Sequence, residues 1–91
     1  MTFIWDMKKS IENVLKHGVS FEIAQQVFFD EKRKIFIDEK HSEQEKRYYC
    51  YGIVEGEILT VRFTIRGEDI RIIGAGYWRK GKKIYYENQQ K

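Results

Sequence analysis

The sequence predicts an α+β domain in which a small, mainly antiparallel β-sheet packs against two N-terminal helices. Apolar residues recur at helical spacing up to about Phe29, and from Tyr48 onward they alternate with polar ones at a period of two. Turn-forming residues then fall between the alternating runs, at Glu55-Gly56 and in the segment RGED.

Taken in order, Phe3, Ile4 and Trp5 read as a short opening strand. Asp6 is placed to cap a helix whose apolar residues Met7, Ile11, Val14 and Leu15 follow helical spacing, and Gly18 suits the left-handed residue that ends it. Ser20 then caps a second helix running to about Phe29, with Phe21, Ala24, Val27 and Phe28 on one stripe. The charged DEKRK is a connection, Ile35, Phe36 and Ile37 form a short strand, and EKHSEQEK is a loop or a single turn. YYCYGIV and EILTVRFTI make a hairpin around Glu55-Gly56, because glycine supplies the positive φ that two-residue turns need. RGED leads to the last strand, IRIIGA.

Pairing Val54 with Glu57 and Ile65 with Ile70 fixes the content of both sheet faces. Tyr48, Cys50, Leu59, Val61, Phe63, Ile65, Ile70 and Ile72, with Gly52 and Gly74, make the core face that the helices cover. The other face collects Arg47, Tyr49, Tyr51, Thr60, Arg62, Thr64, Arg71 and Ile73, with Arg66 at the adjoining turn. It is too cationic to be buried without partners.

At 91 residues and 11.0 kDa the chain makes a single domain, 1–91, and a multidomain enzyme is excluded. Hydrophobic residues at 42% suffice for a core, and charged residues at 34% form no long single-sign block that would argue for disorder. The lone Cys50 can form neither an internal disulfide nor a multi-cysteine metal site. The N-terminus lacks the apolar run of a signal peptide and no stretch approaches a membrane span, so a cytoplasmic location is expected.

The net charge of +3 is unevenly distributed. Residues 1–47 balance nine Lys/Arg against nine Asp/Glu, residues 48–69 hold two against four, and residues 70–91 hold six against one. A basic C-terminal segment carrying Tyr77, Trp78, Tyr85 and Tyr86 combines phosphate attraction with stacking faces, as single-stranded nucleic-acid sites do. The same composition also fits a solvated tail whose aromatics pack on the sheet.

Arginines and tyrosines on one sheet face could likewise hold an RNA backbone and stack unpaired bases, or simply form cross-strand pairs that solubilise the sheet. His41, Ser42, Glu45 and Arg47 form a second cluster, in which a histidine and a carboxylate could move protons to and from a ribose hydroxyl while arginine offsets charge on phosphorus. The segment also reads as a polar loop with Ser42 capping a turn and Glu45 paired to a neighbouring cation. His17, His41 and Cys50 show no metal-ligand spacing, and Cys50 falls on the core face. GAGYWRKGKK lacks the Walker pattern.

The ordered segments FIWD, KHGVSFEIA, VFFD, DEKHSEQEKRYYCYG, ILTVRFTIRG and IRIIGA together resemble the BrnT family, ribonuclease toxins of type II toxin–antitoxin systems with RelE-like architecture. The resemblance implies translation arrest by metal-independent RNA cleavage with no cofactor. It also implies neutralisation by a BrnA-like ribbon–helix–helix antitoxin, through which alone the toxin meets DNA. By position, His41, Glu45 and Arg47 match the family's HS-x-x-E-x-R segment, Arg66 closes the FT-x-R strand, Arg71 opens RII-x-A, and Lys16, His17 and Gly18 match a KHG turn. The chain departs from the family at Gly76, where many members carry arginine, and resembles a branch ending in WRK, here Trp78, Arg79 and Lys80.

These readings converge on an endoribonuclease with His41 or Glu45 in proton transfer and Arg47, Arg66 and Arg71 on phosphate. Arg62, Tyr49, Tyr77, Arg79 and Lys80 are the expected RNA-binding residues. The alternative is a non-catalytic RNA- or protein-binding module acting in complex with a DNA-binding partner.

Overall fold

The structure, a computed structural model, describes residues 2–87, so Lys91, one of the C-terminal charges, lies outside the described residues. The chain runs β1 (Phe3–Ile4), α1 (Met7–His17), α2 (Phe21–Ala24), β2 (Lys34–Ile37), β3 (Arg47–Val54), β4 (Glu57–Arg66), β5 (Asp69–Gly76) and α3 (Arg79–Glu87). The five strands form one sheet in the order β1-β5-β4-β3-β2, antiparallel except for β1 beside β5. This is the expected α+β arrangement, consistent with the small RelE-like plan.

The strand pairing follows the alternation. Val54 faces Glu57 and Ile65 faces Ile70, with Glu55 and Gly56 both at positive φ in the hairpin turn. Ser20 caps α2 by accepting from the Ile23 N–H at 3.2 Å, and the helix tightens into a 3-10 turn over Gln25–Phe29. Phe21, Ala24 and Val27 are fully buried at a spacing of three, the repeat of the tightened turn. With Val19 they pack on Cys50, Val54, Leu59, Val61, Phe63, Ile70, Ile72 and Ala75.

Helix α1 departs from the expected packing. Asp6 caps it and Gly18 ends it in the left-handed region as anticipated, yet the stripe Met7, Ile11, Val14 and Leu15 faces solvent, with Leu15 82% exposed. The buried residues are Ser10 and Asn13. Strand β1 pairs with β5 only at Ile70 and Arg71, which leaves the rest of that edge bare. Asn13 completes it: its Nδ2 donates to Val19 O (2.8 Å) and Ala75 O (2.9 Å), and its Oδ1 accepts from the Ala75 N–H (3.3 Å). Ser10 Oγ accepts from the Phe21 N–H at 3.0 Å. The helix is therefore held by polar groups that satisfy buried backbone, and its apolar stripe is turned away from the core.

Two assignments to the core face are also corrected. A bulge in β5 places Gly74 opposite Arg62 but Ile72 opposite Phe63, so Ile73 is an extra residue. Beyond it the alternation inverts, and Ala75 instead of Gly74 enters the core. Ile65 lies past the helical cover and is 54% exposed.

The opposite face is divided. Helix α3 lies across β3 and β4, burying Tyr51, Thr60, Ile58 and Tyr85. Gly81 permits the approach, because a Cβ there would collide with Thr60 Oγ1. Tyr85 donates its hydroxyl to Asp30 at 2.6 Å, and the same carboxylate oxygen accepts from the Ile53 N–H at 2.8 Å. Arg47, Tyr49, Arg62 and Arg71 remain half-buried and open.

Candidate nucleic-acid interface

Register sets the open half of this face in cross-strand rows. Arg47, Thr64 and Arg71 form one row, and Tyr49, Arg62 and Gly74 the next. Thr64 is tied down by donating to Lys46 O at 2.7 Å, leaving the flanking arginines as the charged members of their row.

The segment entering β3 folds over this face as a 3-10 turn, Glu39–His41. Its closure depends on Ser42, whose Oγ donates to Asp38 O (2.6 Å) and accepts from the Arg47 N–H (3.0 Å), while the Asp38 N–H donates to Arg47 O (2.7 Å). That closure buries the Asp38 carboxylate beneath His41, with His41 Nδ1 at 2.9 Å and Arg62 Nη2 at 3.8 Å. Burial alone would push the Asp38 carboxyl up. The hydrogen bond and charge of His41, with the Arg62 charge and a hydrogen bond from Tyr49, outweigh it and hold the group below the usual carboxylate value. An ionised carboxylate only accepts, so the network assigns the proton to Nδ1 and leaves Nε2 as the free ring nitrogen of the exposed His41.

Two depressions, of about 530 and 450 Å3, meet at His41. The first is lined by Lys40, His41, Glu43, Glu45, Arg47 and Arg66, and Arg66 Nη2 stands 3.4 Å from Glu45 Oε1. The second is lined by His41, Tyr49, Tyr51, Arg62, Trp78 and Lys80, with the Tyr49 and Tyr51 rings stacked at 6.0 Å. Polar chemistry thus adjoins an aromatic wall. Arg62 Nε is buried there and makes no hydrogen bond among the described residues.

Of the residues singled out from sequence, the fold brings together His41, Glu45, Arg47 and Arg66 in the first depression and Tyr49, Arg62 and Lys80 in the second. Arg71 shares the Arg47 row but lines neither. Tyr77 and Arg79 line neither, although their own hollow shares Trp78 with the second. They line a different hollow with Glu57, Lys82 and Tyr86 beside the hairpin turn. Sequence reasoning missed Asp38 as the residue behind His41; its signal was the Asp-x-x-His spacing, which places a carboxylate one tight turn before the ring.

Trp78 accounts for the glycine at position 76. A Cβ on Gly76 would stand 2.5 Å from the indole Cζ2, so the ring occupies the space that any side chain at 76 would need.

Burial pushes the Cys50 thiol up to about 12, and among the described residues no group of three His, Cys, Asp or Glu could hold a metal ion. Nor is any helix among the described residues long and apolar enough to cross a membrane.

Residues 5–81 match the family described as ribonuclease toxin, BrnT, of type II toxin-antitoxin system. No curated protein matches the chain.

Proposed function

Because the chain belongs to the BrnT family of ribonuclease toxins of type II toxin–antitoxin systems, we propose that it is a metal-independent endoribonuclease that arrests translation in the cytoplasm by cutting RNA. The observation that carries this reading is His41, held by Asp38 at the point where the arginine-lined and aromatic depressions meet.

In the proposed reaction the ribose 2′-oxygen attacks the adjacent phosphorus and the P–O5′ bond breaks, leaving a 2′,3′-cyclic phosphate and a 5′-hydroxyl. Glu45 accepts the 2′-hydroxyl proton and His41 delivers a proton to O5′ through Nε2, with Asp38 orienting the ring and offsetting its charge. Arg47 and Arg66 stabilise the added charge on the phosphorane, and Arg71 supplies further positive potential from the neighbouring strand. Tyr49 offers a stacking face, while Arg62 and Lys80 hold phosphate.

The family has an antitoxin partner, and we propose a BrnA-like ribbon–helix–helix protein in that role. The exposed apolar stripe on α1 supports a protein partner, since contiguous apolar surface commonly marks an interface.

Purified protein should cut single-stranded RNA in EDTA, leave cyclic phosphate ends, and spare a substrate with 2′-deoxy at the scissile position. His41→Ala should lower kcat at least about 100-fold. RNA that stays intact, or cleavage that requires added divalent metal, would overturn the proposal.

A further inference from the structure

A third depression continues from the second, and of its lining Arg62 alone has been given a role in the reaction just described. It is lined by Lys9, Glu12, Lys16, His17, Arg62 and Trp78, three certain cations against the one carboxylate, and it shares Arg62 and Trp78 with the aromatic depression. The three hollows therefore adjoin one another, the first two sharing His41 and the last two Arg62 and Trp78.

Each part of the far hollow has a physical cause. Gly18 ends α1 in the left-handed region, which leaves Lys16 and His17 in the last turn beside β5. Asn13 anchors that turn to Ala75, just past the bulge. The His17 ring meets the Trp78 indole edge-on, 5.2 Å between centroids at 73°. The indole is seated on Gly76 and still presents a partly exposed face. Lysines from one helix and the guanidinium with its unpaired Nε thus surround an immobilised aromatic plane, which is the composition of a nucleotide-stacking subsite.

We infer that Trp78, His17, Lys16 and Lys9 form a second nucleotide subsite, so that the RNA is held as an extended single strand beyond the nucleotides flanking the scissile phosphate. A base stacks on Trp78 and its phosphate lies among Lys9, Lys16 and Arg62. This rests on the ribonuclease reading for its centre at His41, but it concerns binding and can be tested without cleavage.

The test uses labelled 2′-O-methyl oligonucleotides of two and four nucleotides, which cannot supply the nucleophile. For the parent, the four-nucleotide ligand should bind at least about tenfold tighter than the two-nucleotide ligand, because one stacked base contributes a gain of that order, and should quench tryptophan fluorescence in a way that Trp78→Ala abolishes. The ratio of the two affinities should fall about tenfold in Trp78→Ala and in the Lys16→Ala/His17→Ala double variant, and be largely restored in Trp78→Phe. An unchanged ratio in variants that keep the parental circular dichroism overturns the subsite. If RNA is cut normally while the ratio is unchanged, this inference fails alone. If RNA is never cut but the ratio falls as described, the cleavage reading fails and the subsite stands.

Discussion

Replacing Asn13 by alanine should destabilise the protein more than removing any exposed apolar residue of α1. Both amide hydrogens and the carbonyl oxygen of Asn13 are engaged, with Val19 O, Ala75 O and the Ala75 N–H. The side chain is 8% exposed, so its truncation leaves two carbonyls and one N–H buried and unpaired. At about 1 kcal/mol for each lost bond the cost is about 3 kcal/mol, more if water cannot enter. In a domain of this size about 3 kcal/mol lowers Tm by roughly 12–24 °C. Leu15→Ser, at a residue 82% exposed, should stay within about 0.5 kcal/mol of the parent. Thermal and urea unfolding of both variants, followed by far-ultraviolet circular dichroism, gives the comparison. An Asn13→Ala protein within 1 kcal/mol of the parent, or a Leu15→Ser protein equally unstable, would refute the polar anchoring of α1.

Acid should destabilise the fold through Asp30 and Asp38. Asp30 is held below its ordinary value because, although burial pushes it up, hydrogen bonds from Tyr85, Ile53 and Lys32 outweigh that push, and Asp38 is lowered as described above. A folded pKa below the unfolded one means the contribution is complete above the ordinary value of 3.8 and is lost as pH falls through the depressed values. Urea midpoints measured from pH 6 down to about 2 should therefore drop less steeply in Asp30→Asn than in the parent. Gly81→Ala should force α3 away from Thr60, costing about 1–3 kcal/mol and accelerating amide exchange throughout that helix. Ser42→Ala removes the two Ser42 ties of the Asp38–Arg47 loop and leaves the Asp38 N–H to Arg47 O bond, so unfolding free energy should fall by about 2 kcal/mol and kcat should drop more than KM rises.

The strands were legible because alternation and turn chemistry are local. Val54 opposite Glu57 and Ile65 opposite Ile70 follow from two short turns alone. The helix caps at Asp6 and Ser20 were legible for the same reason. The packing of α1 was not, because an apolar stripe signals burial only when the partner surface is apolar, and here the adjoining edge of β5 needed hydrogen bonds. The bulge at Ile73 leaves no mark in a sequence that reads as continuous strand, so Gly74 and Ala75 exchanged faces. Helix α3 was hidden by Gly81 within it and by a composition that suits a tail equally well. At the site, the shared face of Arg47, Tyr49, Arg62 and Arg71 followed from period two, whereas the separation of Tyr77 and Arg79 from Lys80 depended on how α3 begins.

The seating of Trp78 on Gly76 links two positions that are not neighbours in the chain. A side chain at 76 and an indole at 78 compete for one volume, so a larger residue at 76 requires a smaller or displaced one at 78. An arginine at position 76 would be accommodated only with the tryptophan shrunk or moved, since otherwise its Cβ meets the indole. Chains of this family should therefore fall into two sets, one with a bulky residue at 76 and a small one at 78, the other with the reverse, and chimeras that mix them should fold poorly. The charge near the end of the last strand would then be carried by different residues in the two sets, from the strand itself in one and from the first turn of the following helix in the other.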